Sequence, residues 1–378
     1  MAADLGFGRG EISTAIGVSN LMIAFATPFF GRLMDKYGVR RPLLISIVLF
    51  ALATAAMSLL PASIPVLFVL YAIAGLVGVG QNPGAYSLAV SSWFDRNRGL
   101  ALGITLAGVG LGTAVISAVS GALIASFGWR IGYVGLGIVI LLLAFFPVLL
   151  LLKTPADVGR HEASVRLRTG LTLSEALREW RFWAMAVAFF LAAFVINGSM
   201  IHIVPLLTDR GIPLPEAIAT ISAAGLALIV GRLIAGYLMD KVHAPLLAIF
   251  FLVLPIVGLT LLGKGSGAPL VGAVLLGAGV GAEIDIMSFL IGRYFGMRAF
   301  GSLHGGLFTA AVLGNAAGAS ALGWAFQEFG PYELAFNLCK GLLVIGCVLF
   351  AILGRYRYPA EDWAPENATQ PDPSVAKA

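Results

Sequence analysis

Charged residues are scarce in this sequence: they make up 11% of the 378 residues, whereas 59% are hydrophobic and the mean hydropathy is +0.95. Soluble globular domains carry about a quarter charged residues, so a soluble protein is excluded. Apolar stretches of about 20 residues, the length of a membrane-spanning helix, recur along almost the whole chain. Stretches such as 42–60 and 131–152 are continuously apolar, without the alternation of a transmembrane barrel. The sequence therefore predicts an all-α polytopic membrane protein.

Cysteines are also few. Cys339 and Cys347 are the only two, and they lie eight residues apart on one predicted helix. That spacing is roughly 12 Å along the helix axis, too far for a disulfide within the chain. We interpret both as apolar packing residues.

Catalytic motifs are lacking as well. The sequence has no P-loop, no His/Cys cluster with zinc-ligand spacing, and no nucleophile–base set at one membrane depth. We therefore expect no enzyme activity, no metal and no cofactor. The net charge of +5 is spread over short loops, so we expect no nucleic-acid binding. A membrane-embedded enzyme and a non-transporting sensor remain alternatives, but a sensor would normally carry a soluble signalling domain.

Eleven apolar stretches are long enough to span a bilayer. They are 12–30, 42–60, 65–90, 99–126, 131–152, 182–206, 216–237, 245–263, 269–292, 300–326 and 334–353. When the loops are assigned alternately to two sides, nearly all of the 24 Lys and Arg residues fall on one side. The exceptions are Arg9, Arg130, Arg210, Lys264 and Lys340. The positive-inside rule makes the basic side the cytoplasmic one.

Two charged segments of the chain echo each other. They are "GRLMDKYGVRRP" at 31–42 and "GYLMDKVHAP" at 236–245, and their aspartates are 205 residues apart. A second pair, "WFDRNRGLALG" at 93–103 and "RYFGMRAFGSLHG" at 293–305, repeats at a similar offset. Such a duplication is typical of a transporter built from two similar halves.

The repeat defines the expected domains. They are an N-terminal bundle of five spans at 1–152, a cytoplasmic linker at 153–181, a C-terminal bundle of six spans at 182–353 and a disordered tail at 354–378. Within the linker, "LTLSEALREW" is expected to form an amphipathic helix.

The two halves differ in length before their charged segments. Two predicted spans precede the segment of the second half, but only one precedes that of the first half. We therefore expect that the first helix of the duplicated unit is missing from this sequence. Residues 1–11 would then correspond to the outer loop "TDRGIPLPEA" at 208–217. A natural eleven-span protein with its N-terminus outside is the alternative.

Few ionisable residues lie at membrane depth, where a charge is costly and function is the default interpretation. Arg232, Glu283 and Asp285 lie roughly 12–15 Å inside the cytoplasmic edge, which would allow an ion pair between helices. The two acids point about 200° apart on a helix, so at most one faces a central cavity. A purely structural ion pair is the alternative to one that exchanges a proton with substrate.

The remaining candidates at this depth are less sharply defined. His304 is equally compatible with a cavity and with a packed core. His202 either titrates or forms a hydrogen bond with a neighbouring helix. Lys340 is expected to extend towards the membrane surface. Asn82, in "GQNPG", marks a kink whose amide either faces a cavity or is satisfied by the backbone.

The segment "GRLMDKYGVRR" at 31–41 resembles the signature loop of the major facilitator superfamily, and 236–241 resembles its weaker second copy. The resemblance implies two helical bundles that rock against each other around a central site. Asp35 is expected to pair with Arg40 or with a helix end in one conformer only. The second copy lacks the Arg pair and is expected to contribute less. The implied gating residues are Gly31, Asp35, Arg40, Arg41, Gly236 and Asp240.

Segment 93–115, "FGWR" at 127–130 and Arg232 are similar to bacterial relatives of the monocarboxylate transporters and of the oxalate:formate antiporter. The resemblance implies that Arg232 faces the cavity and receives a substrate carboxylate. The antiporter pairs this Arg with a Lys in a later helix, where this sequence has Ala311, which argues against a small dicarboxylate such as oxalate. The Lys that monocarboxylate transporters carry lies in their first helix, the helix that we expect to be missing from this sequence. An Arg typical of drug exporters is missing from "FVLYAIAGLVG" at 68–78.

Together these observations predict a secondary active transporter of a small organic anion, proton-coupled or exchanging, in the bacterial inner membrane. The expected partners are a small-molecule substrate, protons and the lipid bilayer, and the expected oligomeric state is a monomer. An exporter of a neutral or amphiphilic metabolite or drug is the alternative. The expected substrate-binding residues are Arg232, Glu283, Asp285, His304, Asn82 and His202.

Overall fold

The computed structural model describes residues 2–95, 97–153, 169–263, 268–329 and 332–358, and these are mostly helical. The first helices are α1 (Ala2–Leu5), α2 (Arg9–Tyr37), α3 (Arg40–Ala56), α4 (Ile64–Val77), α5 (Pro83–Trp93), α6 (Arg98–Ile140) and α7 (Phe146–Leu151). They are followed by α8 (Leu173–Arg178), α9 (Trp180–Asp209), α10 (Leu214–Met239), α11 (Ala244–Gly263), α12 (Pro269–Tyr294), α13 (Phe300–Phe329) and α14 (Tyr332–Ala351). The predicted all-α fold is confirmed.

Ten segments of the described chain are long and apolar enough to cross a membrane. The longest, Arg98–Leu151, has 54 residues. As continuous helix it would be roughly 80 Å long, more than twice the thickness of the hydrocarbon core. Its backbone is broken at Gly128, where φ is 77° and ψ is 166°, a conformation essentially confined to glycine. With this break the segments agree approximately with the eleven predicted stretches.

The first charged segment is partly helical, which corrects the prediction that the first span ends near residue 30. Helix α2 continues to Tyr37 and ends where Gly38 takes a positive φ of 76°. Asp35 therefore lies on the last turns of a helix, and its position relative to the bundle is fixed by the helix. Arg, Leu, Met and Lys are good helix formers, so the helix extends beyond its apolar part.

The third span is bent at the predicted kink. A 3-10 turn over Gly78–Gln81 follows α4, Asn82 is extended, and Pro83 begins α5. Proline suits the first helical position because it has no N–H to leave unpaired. The Asn82 amide donates to the Thr27 hydroxyl of α2 at 3.3 Å, so it is satisfied by a side chain and not by the backbone.

The described part of the linker is attached to the C-terminal half. Helix α8 begins with a capping box between Thr172 and Glu175, which confirms the helix expected there. Hydrogen bonds from the Thr172 backbone and hydroxyl hold the pKa of Glu175 below its usual value. Just upstream, the Thr169 carbonyl accepts hydrogen bonds from the N–H groups of Met297 and Arg298 at 2.9 and 3.1 Å. The linker thus braces the loop between α12 and α13.

The first tail residues correct the prediction that disorder begins at 354. The Tyr356 hydroxyl accepts a hydrogen bond from the N–H of Ala244 at 2.6 Å. Arg357 forms an ion pair with Glu179 at 2.8 Å. These contacts anchor the start of the tail on the C-terminal half. The predicted linker and tail segments that lie outside the described residues are 154–168 and 359–378.

Candidate functional site

The first charged segment caps a helix of the opposite half. The Asp35 carboxylate accepts hydrogen bonds from the N–H groups of Gly301 and Ser302, both at 2.8 Å, and from the Ser302 hydroxyl at 2.6 Å. These groups form the first turn of α13, whose N–H groups lack helical partners and carry the positive end of the helix dipole. Of the two partners expected for Asp35, the structure has the helix end. Arg40 donates to the Leu149 carbonyl at 2.7 Å instead.

The second charged segment makes the same contact in the opposite direction. Asp240, at the end of α10, accepts hydrogen bonds from the N–H groups of Gly99 and Leu100 in the first turn of α6, both at 2.9 Å. Each half therefore presents one aspartate to the first turn of a helix in the other half. Asp35 accepts three hydrogen bonds and Asp240 two. The smaller contribution expected of the second copy stays a prediction.

Glycines bring the capped helices into contact. A Cβ on Gly236 would lie 2.8 Å from the Gly99 carbonyl oxygen and 3.0 Å from the Gly103 Cα, closer than side-chain atoms pack. A Cβ on Gly31 would overlap the Gly301 backbone in the same way. The close approach of these helices therefore requires glycine at 31 and 236, two of the positions that the resemblance implied for gating.

Arg232 is buried between the two halves at membrane depth. It lies on α10 eight residues before Asp240, roughly 12 Å deeper in the bundle. Its Nη1 donates to the Leu106 carbonyl of α6 at 2.6 Å, and its Nε donates to the Gly281 carbonyl of α12 at 3.1 Å. Only 6% of the residue is exposed. Backbone dipoles from both halves therefore hold the guanidinium.

Asp285 of α12 is the counter-ion of Arg232, so the expected ion pair is present. The Nε of Arg232 lies 3.3 Å from Oδ2 of Asp285, whose side chain is fully buried. The Nε proton points to the Gly281 carbonyl, and neither Asp285 oxygen accepts a hydrogen bond from the described residues. The carboxylate neutralises the guanidinium without a hydrogen bond to it, so a second carboxylate can compete for the N–H groups.

The N-terminal half has a neutral pair at the matching place. Thr27 precedes Arg232 by 205 residues, the same separation as between Asp35 and Asp240. Its hydroxyl accepts the hydrogen bond from Asn82. At this level the guanidinium, with its N–H donors for an anion, belongs to the C-terminal half.

Glu283 faces away from this pair. It lines a small cavity of about 20 Å³ inside the C-terminal half, together with apolar residues of α9, α11 and α14. Its Oε1 is buried and has no hydrogen-bond partner among the described residues. A cavity of this size holds about one water molecule. The structure thus separates the two acids as helix geometry predicted, with Asp285 on the Arg232 side.

The two histidines are packed differently from each other. His304 is 1% exposed, lies 6.0 Å between ring centroids from both Phe300 and Phe308, and abuts α5 of the other half at Gly84. It belongs to the packed interface between the halves. The Nε2 of His202 lies 3.2 Å from a carbonyl oxygen of α13, which matches the structural alternative given for it. Substrate contacts of either histidine stay predictions.

A further contact between the halves was missed by the sequence analysis. Arg293, at the end of α12, donates from Nη1 to Oδ1 of Asp95 at 3.3 Å and from Nη2 to its carbonyl at 3.2 Å. Arg98 approaches the same Oδ1 at 3.4 Å. The charged segment at 93–98 is conspicuous in the sequence. Nothing in its pattern, however, identifies a partner 198 residues away.

Comparison with known proteins agrees with this architecture. Residues 1–302 match the Major Facilitator Superfamily. The chain belongs to this superfamily. Its family and fold are those of multi-pass transmembrane transporters, which are not enzymes.

Similar proteins include characterised transporters. The chain is 30% identical to the oxalate:formate antiporter of Oxalobacter formigenes over 63% of this chain and 56% of the antiporter. It is 32% identical to an uncharacterised 38 kDa protein of Thermoproteus tenax, over 93% of this chain and 88% of that protein. Human monocarboxylate transporter 11 is 26% identical over 70% of this chain and 58% of the transporter. The chain thus spans little more than half the length of the antiporter.

Solved structures share the fold. The proton:xylose symporter XylE superimposes with a TM-score of 0.72 at 15% identity, covering 91% of this chain and 86% of the symporter. The Escherichia coli fucose:proton symporter FucP gives a TM-score of 0.69 at 16% identity, covering 90% and 92%. At these identities the likeness concerns the fold alone.

Proposed function

We propose that this transporter moves a small organic anion of the monocarboxylate type by alternating access, with proton coupling or by exchange. We place it in a bacterial cytoplasmic membrane as a monomer, with the linker and tail on the cytoplasmic side. The similarity to the oxalate:formate antiporter and to monocarboxylate transporter 11 supports an anionic substrate.

The buried guanidinium of Arg232 is the observation that carries this proposal. It contacts backbone of both halves, so any movement of one half against the other changes its surroundings. A planar guanidinium binds a carboxylate through two parallel hydrogen bonds and stays charged when desolvated. An anion that enters between the halves would replace the carbonyls of Leu106 and Gly281 as the acceptor of hydrogen bonds from these N–H groups.

Asp285 supplies the coupling in this proposal. A bound carboxylate would place two negative charges beside one guanidinium in a water-poor site, which favours protonation of one of them. Asp285 would then take up a proton when the substrate binds and lose it when the substrate leaves. If the proton crosses the membrane with the substrate, transport is proton-coupled. If one substrate replaces another without net proton movement, the result is exchange.

Counterflow in proteoliposomes tests the substrate class. Vesicles loaded with one unlabelled acid would be assayed for uptake of labelled formate, acetate, lactate, pyruvate and oxalate, with xylose as a neutral comparator. We expect uptake of at least one monocarboxylate. Arg232→Ala and Arg232→Lys should both reduce it at least about tenfold, because a charged hydrogen bond contributes about 1.5–3 kcal/mol and Lys lacks the planar fork.

Lys241→Gln is the matched control, since it removes an exposed cation from the cytoplasmic end beyond the same helix. The counterflow rate of this variant should stay within about twofold of the wild-type rate, because exposed charges usually contribute little. Counterflow by Arg232→Ala with unchanged half-saturation for a monocarboxylate would contradict the proposal. Uptake of xylose alone would contradict it as well.

A further inference from the structure

A second cavity lies at the cytoplasmic end of the bundle, away from Arg232. Its volume is about 590 Å³, within the usual range for small-molecule sites. The turn between α2 and α3 forms one wall, α5 and α7 contribute others, and the loop between α12 and α13 closes it from the opposite half. Three guanidinium-bearing residues line it: Arg40, Arg41 and Arg298.

None of these arginines forms an ion pair in the described chain. Neither Arg41 nor Arg298 forms a side-chain hydrogen bond or ion pair there; Arg298 has a weak electrostatic interaction with Glu175. Arg40 donates from Nη2 to a carbonyl oxygen, but its buried Nε has no partner among the described residues. The lining carboxylate, that of Asp35, already accepts three hydrogen bonds from α13.

Topology alone explains only part of this arrangement. The positive-inside rule requires basic residues in cytoplasmic loops, where they are free to point into water. It does not require the buried Nε of Arg40, nor that Arg40 and the exposed Arg41 and Arg298 line one cavity. Burying the Arg40 Nε without a partner costs free energy, which an anion bound to it would recover.

We propose that this cavity binds the phosphate group of an anion, either free phosphate or the headgroup of an anionic phospholipid. Several guanidinium groups around one oxyanion are the arrangement by which proteins recognise phosphate, through paired N–H donors. The apolar walls, which include Leu44, Leu88 and Leu149, leave room for the carbon skeleton attached to a phosphate.

Occupancy of the cavity would regulate the gate. Arg40 and Arg41 belong to the N-terminal half and Arg298 to the C-terminal half, so one phosphate group would join the two. Separation of the halves at this face would remove Arg298 from the site. A ligand that binds one conformer more tightly shifts the population towards it, so phosphate would favour the closed cytoplasmic side. This inference does not depend on which substrate is transported.

Spin-label distances test both the site and its effect. Labels at Asn97→Cys and Lys241→Cys, in a Cys339→Ser/Cys347→Ser background, report the separation of the halves outside the cavity. In detergent, added inorganic phosphate should increase the short-distance population, whereas chloride at the same ionic strength should not. Arg298→Gln should raise the phosphate concentration needed at least about tenfold. Arg41→Gln should also raise the phosphate concentration needed. It serves as the second test variant if Arg298→Gln does not fold.

A lipid arm distinguishes the two sources of phosphate. The same labelled protein, without added phosphate, would be placed in nanodiscs of phosphatidylcholine or of phosphatidylcholine with phosphatidylglycerol. A larger short-distance population with phosphatidylglycerol alone identifies the headgroup as the ligand, and a response to phosphate alone identifies the free anion. Arg355→Gln, outside the cavity, should retain whichever response is seen. Absence of both responses, or their persistence in both cavity variants, would overturn the proposal.

Discussion

At the residue scale, the surroundings of Arg232 determine what it can do. A buried ion pair is expensive to desolvate and is seldom retained for stability, since removing one partner costs about 3–5 kcal/mol whereas replacing both is often neutral. Here the pair is incomplete, because Asp285 lacks a hydrogen bond and Arg232 is shared between two carbonyls. An arrangement that satisfies charge but not hydrogen bonding suits a site that must exchange partners.

The two acids of α12 should differ sharply in transport. Asp285→Asn should abolish accumulation of the anion against a gradient while sparing exchange, because exchange needs no net proton movement. Glu283→Gln should leave both within about twofold, since an uncharged amide of the same size fills its small apolar cavity. Gradient-driven uptake and counterflow in the same proteoliposomes measure the two activities.

Reversed results would refute this assignment of the acids. If Glu283→Gln lost accumulation while Asp285→Asn kept it, the proton would be carried inside the C-terminal half and not at the Arg232 pair. Size-exclusion profiles of both variants control for misfolding, because Asp285→Asn leaves the buried charge of Arg232 without a counter-ion.

The sequence could predict that the acids diverge, but not which of them meets Arg232. Their divergence follows from helix geometry alone. The choice depends on how α10 and α12 lie against each other. A Cβ on Gly231 would lie 2.7 Å from the Ala278 carbonyl oxygen, and a Cβ on Gly281 would lie 3.0 Å from the backbone nitrogen of Arg232. Such close contacts between distant helices cannot be read from one sequence without covariation.

At the scale of elements, each half closes the cytoplasmic side with a carboxylate on the other half's helix. The pairs are Asp35 on α13 and Asp240 on α6. A negative charge at a helix N-terminus is stabilising because it satisfies free N–H groups and meets the positive end of the dipole. Both contacts break when the halves separate, so they affect the balance between conformers more than the stability of either half.

Neutralising these aspartates should favour opening at the cytoplasmic face. Asp35→Asn removes the charge and leaves one acceptor oxygen for three donors. The equilibrium constant between the closed and the open conformer should therefore shift towards the open one by at least about tenfold. Asp240→Asn should act in the same direction with a smaller effect, because two donors are involved. Labelling of an engineered cysteine at the cytoplasmic face, together with the counterflow rate, measures the shift.

Asp35→Glu serves as the charge-preserving comparison, and its longer side chain should retain part of the effect. Wild-type turnover and wild-type cysteine labelling in a folded Asp35→Asn protein would show that the cap does not set the conformational balance.

The elements themselves were largely predictable, and the misses share a cause. Span positions follow from apolar length, and the Asn82 kink follows from its proline. The helical end of α2 and the anchored residue Tyr356 were missed because hydropathy locates the apolar part of a helix and says nothing about its polar continuation. The partner of Asp95 was missed because contacts between halves leave no periodic signal in the chain.

At the scale of the whole molecule, the described contacts between the halves extend from the cytoplasmic caps to mid-membrane. The Thr309 hydroxyl donates to the Ala24 carbonyl at 2.7 Å, eleven residues before Asp35 and roughly 16 Å deeper. Arg232 lies within this zone. The structure therefore represents a conformer closed at the end of the bundle that carries Asp35 and Asp240, with the proposed anion site enclosed by the same contacts that must break for release at that end.

The most direct test of this account is the distance distribution between spin labels at Asn97→Cys and Lys241→Cys in lipid nanodiscs. The account predicts a short component that matches this structure and a longer one that represents the separated halves. The longer component should grow when Asp35 and Asp240 are both replaced by Asn, and the transported anion should change the ratio of the two. A single short distance, unchanged by the double substitution and by every anion that the protein transports, would contradict alternating access through these two caps.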